Sequence, residues 1–100
     1  MKFSNKLSNA ETERLAVLAE ECAEVIQVVG KILRHGYESV HPRRPEQGTN
    51  RQHLEEELSN VGVAIDMMIN AKDLDEMSMQ DRFDEKKKTI GKYLHHQEGQ

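Results

Sequence analysis

From the middle of the chain onward, Leu54, Leu58, Val61, Ile65 and Met68 recur at steps of four, three, four and three residues. That spacing gathers all five side chains on one face of a 3.6-residue helix and would scatter them over both faces of a strand. A second helical segment precedes this one. Ser8 followed by Glu11 has the form of a capping box, after which Leu15, Leu18, Cys22, Val25/Ile26, Val29 and Ile32/Leu33 recur at helical spacing as far as Gly36. Gly36 to Thr49 carries Pro42, Pro45 and Gly48 and reads as a loop. Thr49 or Asn50 then caps the second helix. Asp73 to Met77 interrupts the pattern, and Ser78 with Asp81 is expected to start a third helix whose inner face holds Phe83, Ile90 and Leu94. Residues 1–8 and 97–100 are expected to fray.

The first helix is apolar on two sides. Val17, Val28 and Ile32 lie well round the cylinder from Leu15, Leu18, Cys22 and Ile26, because each residue turns the helix by about 100°. A helix buried on two sides needs more neighbours than a chain of 100 residues supplies. The expected architecture is therefore all-α, one domain over residues 1–100, arranged as an antiparallel helical bundle and completed by homo-oligomerisation.

Composition narrows the function. With 32% charged residues and a net charge of −4, the chain is unsuited to gripping a nucleic-acid backbone, so stable nucleic-acid binding is not expected. A small anion remains compatible, since a divalent metal reverses the local field. The lone Cys22 has no partner for an internal disulfide, which fits a reducing compartment. No apolar run approaches the roughly 18 to 20 residues needed to span a bilayer. Met1 to Asn9 lacks the apolar stretch of a signal peptide. The expected location is cytoplasmic, with no membrane partner.

Glu21 and Glu24 are three residues apart on one face of the first helix. Val17, Val28 and Ile32 surround Glu21 on the second apolar side, so this acid is expected to look toward a partner helix. An inward carboxylate is costly unless it is paired or binds a cation. On the second helix, Glu57 lies at the edge of the apolar stripe, with Glu56 beside it and Asn60 three residues on. If the helices pack side by side, three or four oxygen-bearing side chains converge, and oxygen ligands select Mg²⁺ or Mn²⁺ over zinc. Glutamate-rich helices are also what a solvated face looks like. What separates this chain is the pairing of two acidic clusters on two apolar helices.

Leu18-Ala-Glu-Glu-Cys-Ala-Glu-Val-Ile-Gln27 and Leu54-Glu-Glu-Glu-Leu-Ser-Asn-Val61 resemble the E-E-x-x-E and E-x-x-D motifs of the all-α MazG-like pyrophosphohydrolases. The resemblance spans roughly Leu15 to Ile69 and is nearest to small, single-domain, phage-encoded members, for which the location would be the host cytoplasm. It implies a MazG-like bundle that hydrolyses a nucleoside triphosphate to monophosphate and pyrophosphate at a Mg²⁺ site, as a homodimer or homotetramer. Guanine nucleotides such as dGTP are among the substrates that it suggests. Carried over residue by residue, the metal ligands would be Glu21, Glu24 and Glu57. The fourth ligand position, Asp in the family pattern, is Asn60 here, which offers a carbonyl oxygen and no charge. Asp66 does not replace it, since it points to roughly the opposite side of the helix from Glu57.

A triphosphate repels an anionic nucleophile, so metal ions would neutralise its oxygens and lower the pKa of a bound water. Glu20 or Glu21 would accept that water's proton, with Glu21 preferred as ligand and Glu20 as base. Cations for the remaining phosphate charge are sought in Arg51, Lys86, Lys88 and Lys92, with Lys87, Arg43 and Arg44 as further candidates. Tyr93 would stack on a base or pack, and His95 and His96 read as surface residues. Two rival readings stand beside this one. The first is a non-catalytic helical interaction or regulatory module, which Asn60 favours. The second is a carboxylate-bridged di-iron bundle, which wants Glu-x-x-His on its helices and finds that spacing only from Glu38 to His41, in the loop.

Overall fold

Ser8 starts the first helix as its spacing to Glu11 predicts. In the computed structural model, which describes residues 4–97, the Ser8 hydroxyl accepts from the Glu11 N–H and the Glu11 carboxylate accepts from the Ser8 N–H. Helix α1 runs over Asn9–His35 and stops at Gly36, whose φ of +88° is open to glycine and strained for other residues. Helix α2 runs over Asn50–Asn70, with Thr49 and Gln52 forming a second reciprocal cap. Helix α3 covers Glu76–Thr89 and is followed by a short 3₁₀ turn, Ile90–Tyr93. The fold is all-α. Part of the expected fraying falls on residues 1–3 and 98–100, which lie outside the described residues.

Two links show that α1 and α2 are antiparallel. Near the start of α1, Arg14 pairs with Asp73, just beyond the end of α2. At the other end of the pair, the buried Asn50 amide donates to the Gly36 carbonyl. The connecting loop is more ordered than its prolines and glycines predict. Pro45 opens a 3₁₀ turn, Pro45–Gln47, where its fixed φ is already suitable, and Val40 forms an isolated antiparallel bridge with Thr49.

The third helix departs from expectation in two ways. It begins at Glu76 rather than near Ser78, because the Asp75 carboxylate caps the Met77 N–H and adds a turn ahead of the serine. Its supposed inner face is also outside. Phe83 is 58% exposed, Ile90 and Leu94 are exposed with it, and among the described elements α3 packs substantially only against the 3₁₀ turn that follows.

The core is correspondingly thin. Among the described residues, Val28, Ala64 and Met68 are the buried apolar ones, and no large side chain is fully enclosed. The two apolar sides of α1 have different fates. Val28 and its neighbours Val17, Glu21 and Ile32 are buried or part-buried, whereas Leu15, Cys22, Ile26, Val29 and Leu33 form an exposed stripe, with Ile26 72% and Leu33 82% accessible. The radius of gyration is 17.7 Å, against about 13 Å for a closed 100-residue domain. One chain is thus an open helical pair with a third helix standing off it.

Candidate metal centre

Packing α1 against α2 brings three glutamates together. Glu21 and Glu24 come from α1 and Glu57 from α2, all part-buried, and one oxygen from each lies within 4.8 Å of the others. Two of the carboxylate oxygens, Glu21 Oε2 and Glu57 Oε2, are buried with no hydrogen-bond partner among the described residues. Buried polar atoms are normally satisfied, and a carboxylate without a donor is among the costlier exceptions.

The crowding shows in protonation. The Glu24 carboxyl is raised from 4.5 to about 7, above all by its hydrogen bond with Glu57. The negative charges of Glu57 and Glu21, loss of solvent and the charge of Glu20 then add to the effect. A proton here holds together acids that otherwise repel, and a divalent cation would do so more fully. The cluster suits a hard cation. Its donors are all carboxylate oxygens, and Glu21 and Glu57 each carry a buried oxygen with no partner among the described residues. The three oxygens, within 4.8 Å of one another, would have to draw closer around an ion whose bonds are about 2.1 Å.

The other sequence candidates are distributed unevenly. Asn60 is part-buried one turn beyond Glu57, and Glu20 is exposed beside Glu21, outside the three-carboxylate group. Asp66 is exposed and accepts from Asn70. Arg51 is already engaged, 2.7 Å from Glu38 and stacked 4.3 Å from the centre of the Tyr37 ring. Lys86, Lys88, Lys92 and Tyr93 are exposed on α3 and the turn after it. Within one chain, the standing-off of α3 keeps them from being packed against the carboxylates. His95 and His96 are exposed, as expected.

A cavity of about 580 Å³ was not anticipated. It lies where the end of α1, the loop and the start of α2 meet, and Lys31, Arg34, His35, His41 and His53 line it. Its sequence signal is the clustering of basic side chains on the last turns of α1, joined in space by His53 of α2.

Fold and cluster define an all-α protein with a three-carboxylate centre between antiparallel helices. Comparison with protein families, curated proteins and solved structures finds no match. No helix among the described residues is long and apolar enough to cross a membrane.

Proposed function

We propose that Glu21, Glu24 and Glu57 hold Mg²⁺, with Mn²⁺ as a substitute, and that the protein is a nucleoside triphosphate pyrophosphohydrolase of the MazG-like kind. The observation that carries this reading is the pair of unpartnered buried oxygens on Glu21 and Glu57, two acids that two different helices bring into one cluster. A solvated acidic face has no reason to turn such atoms inward.

Bound at the cluster, the metal would neutralise phosphate oxygens and lower the pKa of a water molecule. The chain's own groups supply the rest. Glu21 and Glu57 offer buried oxygens that have no partner among the described residues, and Glu24 would hold the cation as a deprotonated carboxylate. Asn60 presents a neutral oxygen or an amide N–H to the substrate. Glu20, exposed at the edge of the cluster, accepts a proton from the attacking water. Water oxygen bonds to phosphorus, the anhydride P–O bond breaks, and pyrophosphate leaves from the monophosphate.

A homodimer or homotetramer belongs to the same proposal. The exposed stripe from Leu15 to Leu33 and the unpacked α3 are apolar surfaces that a second copy would cover. In such an assembly Lys86, Lys88, Lys92 and Tyr93 would reach the site of a neighbouring chain. A second reading, a non-catalytic interaction module, draws on the same exposed stripe and on Asn60 where a fourth carboxylate would stand.

The test is to incubate the protein with each common NTP and dNTP in Mg²⁺, Mn²⁺ or EDTA and to separate the products, with Glu21→Gln in parallel. Metal-dependent release of a monophosphate and pyrophosphate, lost in Glu21→Gln, is the expected result. No turnover of any nucleotide by folded protein would reject the hydrolase and leave the interaction module.

A further inference from the structure

The cavity at the far end of the helix pair has a chemical character opposite to that of the carboxylate centre. Two basic side chains, Lys31 and Arg34, and three imidazoles, His35, His41 and His53, converge there from α1, the loop and α2, and among the described residues no Asp or Glu lines the space. The cations are not neutralised nearby. Among the described residues the ion pairs are Arg14 with Asp73 and Arg51 with Glu38, and neither Lys31 nor Arg34 takes part.

Backbone groups do not account for the arrangement. The N–H groups that open α2 are already used, Asn50 donating to the Ser39 carbonyl at 3.0 Å and Arg51 to the Tyr37 carbonyl at 2.9 Å. Gln52 donates to the Thr49 hydroxyl at 3.2 Å. The attraction for an anion therefore comes from side chains. Cations on the last turn of α1 also complement its dipole, but that role explains Arg34 and His35 only. Lys31 sits a turn earlier and His41 comes from the loop, while His53, from α2, has its Nε2 already engaged 2.8 Å from the Gln47 carbonyl. The His41 Nδ1 accepts the Arg43 N–H, which leaves Nε2 as the ring nitrogen that can donate.

We propose that this cavity binds a small phosphate-bearing anion, with Lys31 supplying charge and Arg34 a two-pronged hydrogen-bonding fork. Binding there does not require the metal reading. That the anion is a nucleotide substrate does rest on it, and geometry favours the link. Lys31 follows Glu24 by seven residues and Asn50 precedes Glu57 by seven, which on a helix is two turns, or about 10.5 Å. His53 is one turn from Glu57. The cavity and the acids thus lie along one seam, within the span of a nucleotide.

The experiment is calorimetric titration of the full chain, in EDTA, with inorganic pyrophosphate in one arm and a nucleoside monophosphate in another. Wild type, Lys31→Ala/Arg34→Ala, Arg34→Lys and Glu21→Gln are compared after circular dichroism shows each to be folded. Saturable binding of at least one probe is expected, weakened roughly tenfold or more in the double variant and retained in Glu21→Gln. Arg34→Lys, which keeps the charge and loses the fork, should fall between and guards against a folding defect in the double variant. The arm that binds distinguishes a free phosphate group from a nucleotide. No saturable binding in either arm, equal binding by wild type and the double variant, or equal loss in Glu21→Gln would each overturn the proposal. Because EDTA removes the metal, success here with no turnover in the nucleotide assay would reject the hydrolase and spare the cavity.

Discussion

The Arg14 guanidinium donates to both carboxylate oxygens of Asp73, from Nε at 2.6 Å and from Nη2 at 3.0 Å, and so ties the first turns of α1 to the chain just past α2. The pair is only 20% and 13% accessible at its side chains. The hydrogen bonds from Arg14 hold the Asp73 carboxyl below its usual value, against a smaller opposing effect of burial.

Breaking this clasp should loosen the helix pair at its open end. Because the Asp73 pKa is lowered on folding, its stabilisation is present above the ordinary value of 3.8 and is lost as pH falls through the lower, folded one. Asp73→Asn is expected to reduce Tm by several degrees at neutral pH and by much less in strong acid. Thermal scans of both proteins across that range would show the difference converging; a constant offset would mean that the carboxylate's charge is not what matters.

Glu24 has the opposite sign. Its folded pKa of about 7 lies above the reference value of 4.5, so the folded state keeps a proton that the unfolded chain releases. In EDTA, stability from this group is complete below 4.5, falls as pH rises from there through about 7, and is flat beyond. Glu24→Gln should flatten that decline and leave the metal-free protein more stable than wild type in mild alkali. The check is Tm against pH for both proteins, and parallel curves would refute it.

Metal should reverse the ranking. Added Mg²⁺ or Mn²⁺ is expected to raise the Tm of wild type more above pH 7 than below it, since cation and proton compete for Glu24. Glu24→Gln and Glu57→Gln should lose most of that gain. Equal stabilisation of both variants by Mg²⁺ would place the cation elsewhere.

Gly48 tests the loop that sets the start of α2. Its φ is +98°, and a Cβ there would lie 2.6 Å from the Gln52 Oε1, the atom that accepts from the Thr49 N–H. Gly48→Ala should therefore lose about 1 to 3 kcal/mol from backbone strain alone, with further loss from a displaced cap. Chemical denaturation would measure it, and a change within error would show that the loop relaxes freely.

Self-association is open to direct measurement. Sedimentation of wild type should show a dimer or larger species, and Ile26→Asp with Leu33→Asp should shift it to monomer, because both side chains are exposed on the same stripe of α1. Monomeric wild type would remove the assembly from the proposed function.

Local rules were enough to read much of this protein from its residues. The cap at Ser8, the stop at Gly36, the cap at Thr49, the inward register of Glu21 and the place of Glu57 at the edge of its apolar stripe depend on neighbours within one or two turns, and such short-range geometry is carried by spacing. The start of α3 was missed because Asp75 and Ser78 are both good caps, and the sequence offers no rule for choosing between them. What tertiary structure alone decided is which apolar side of α1 meets α2, how closely the three carboxylates approach, and that Phe83 and Ile90 find no cover within the chain. It also assembled the cationic cavity, whose members Lys31 and His53 are 22 positions apart and share no local pattern. Periodicity specifies a face for each helix but not the partner that the face will meet. That choice is made by packing over long sequence separations, where no single residue carries the signal.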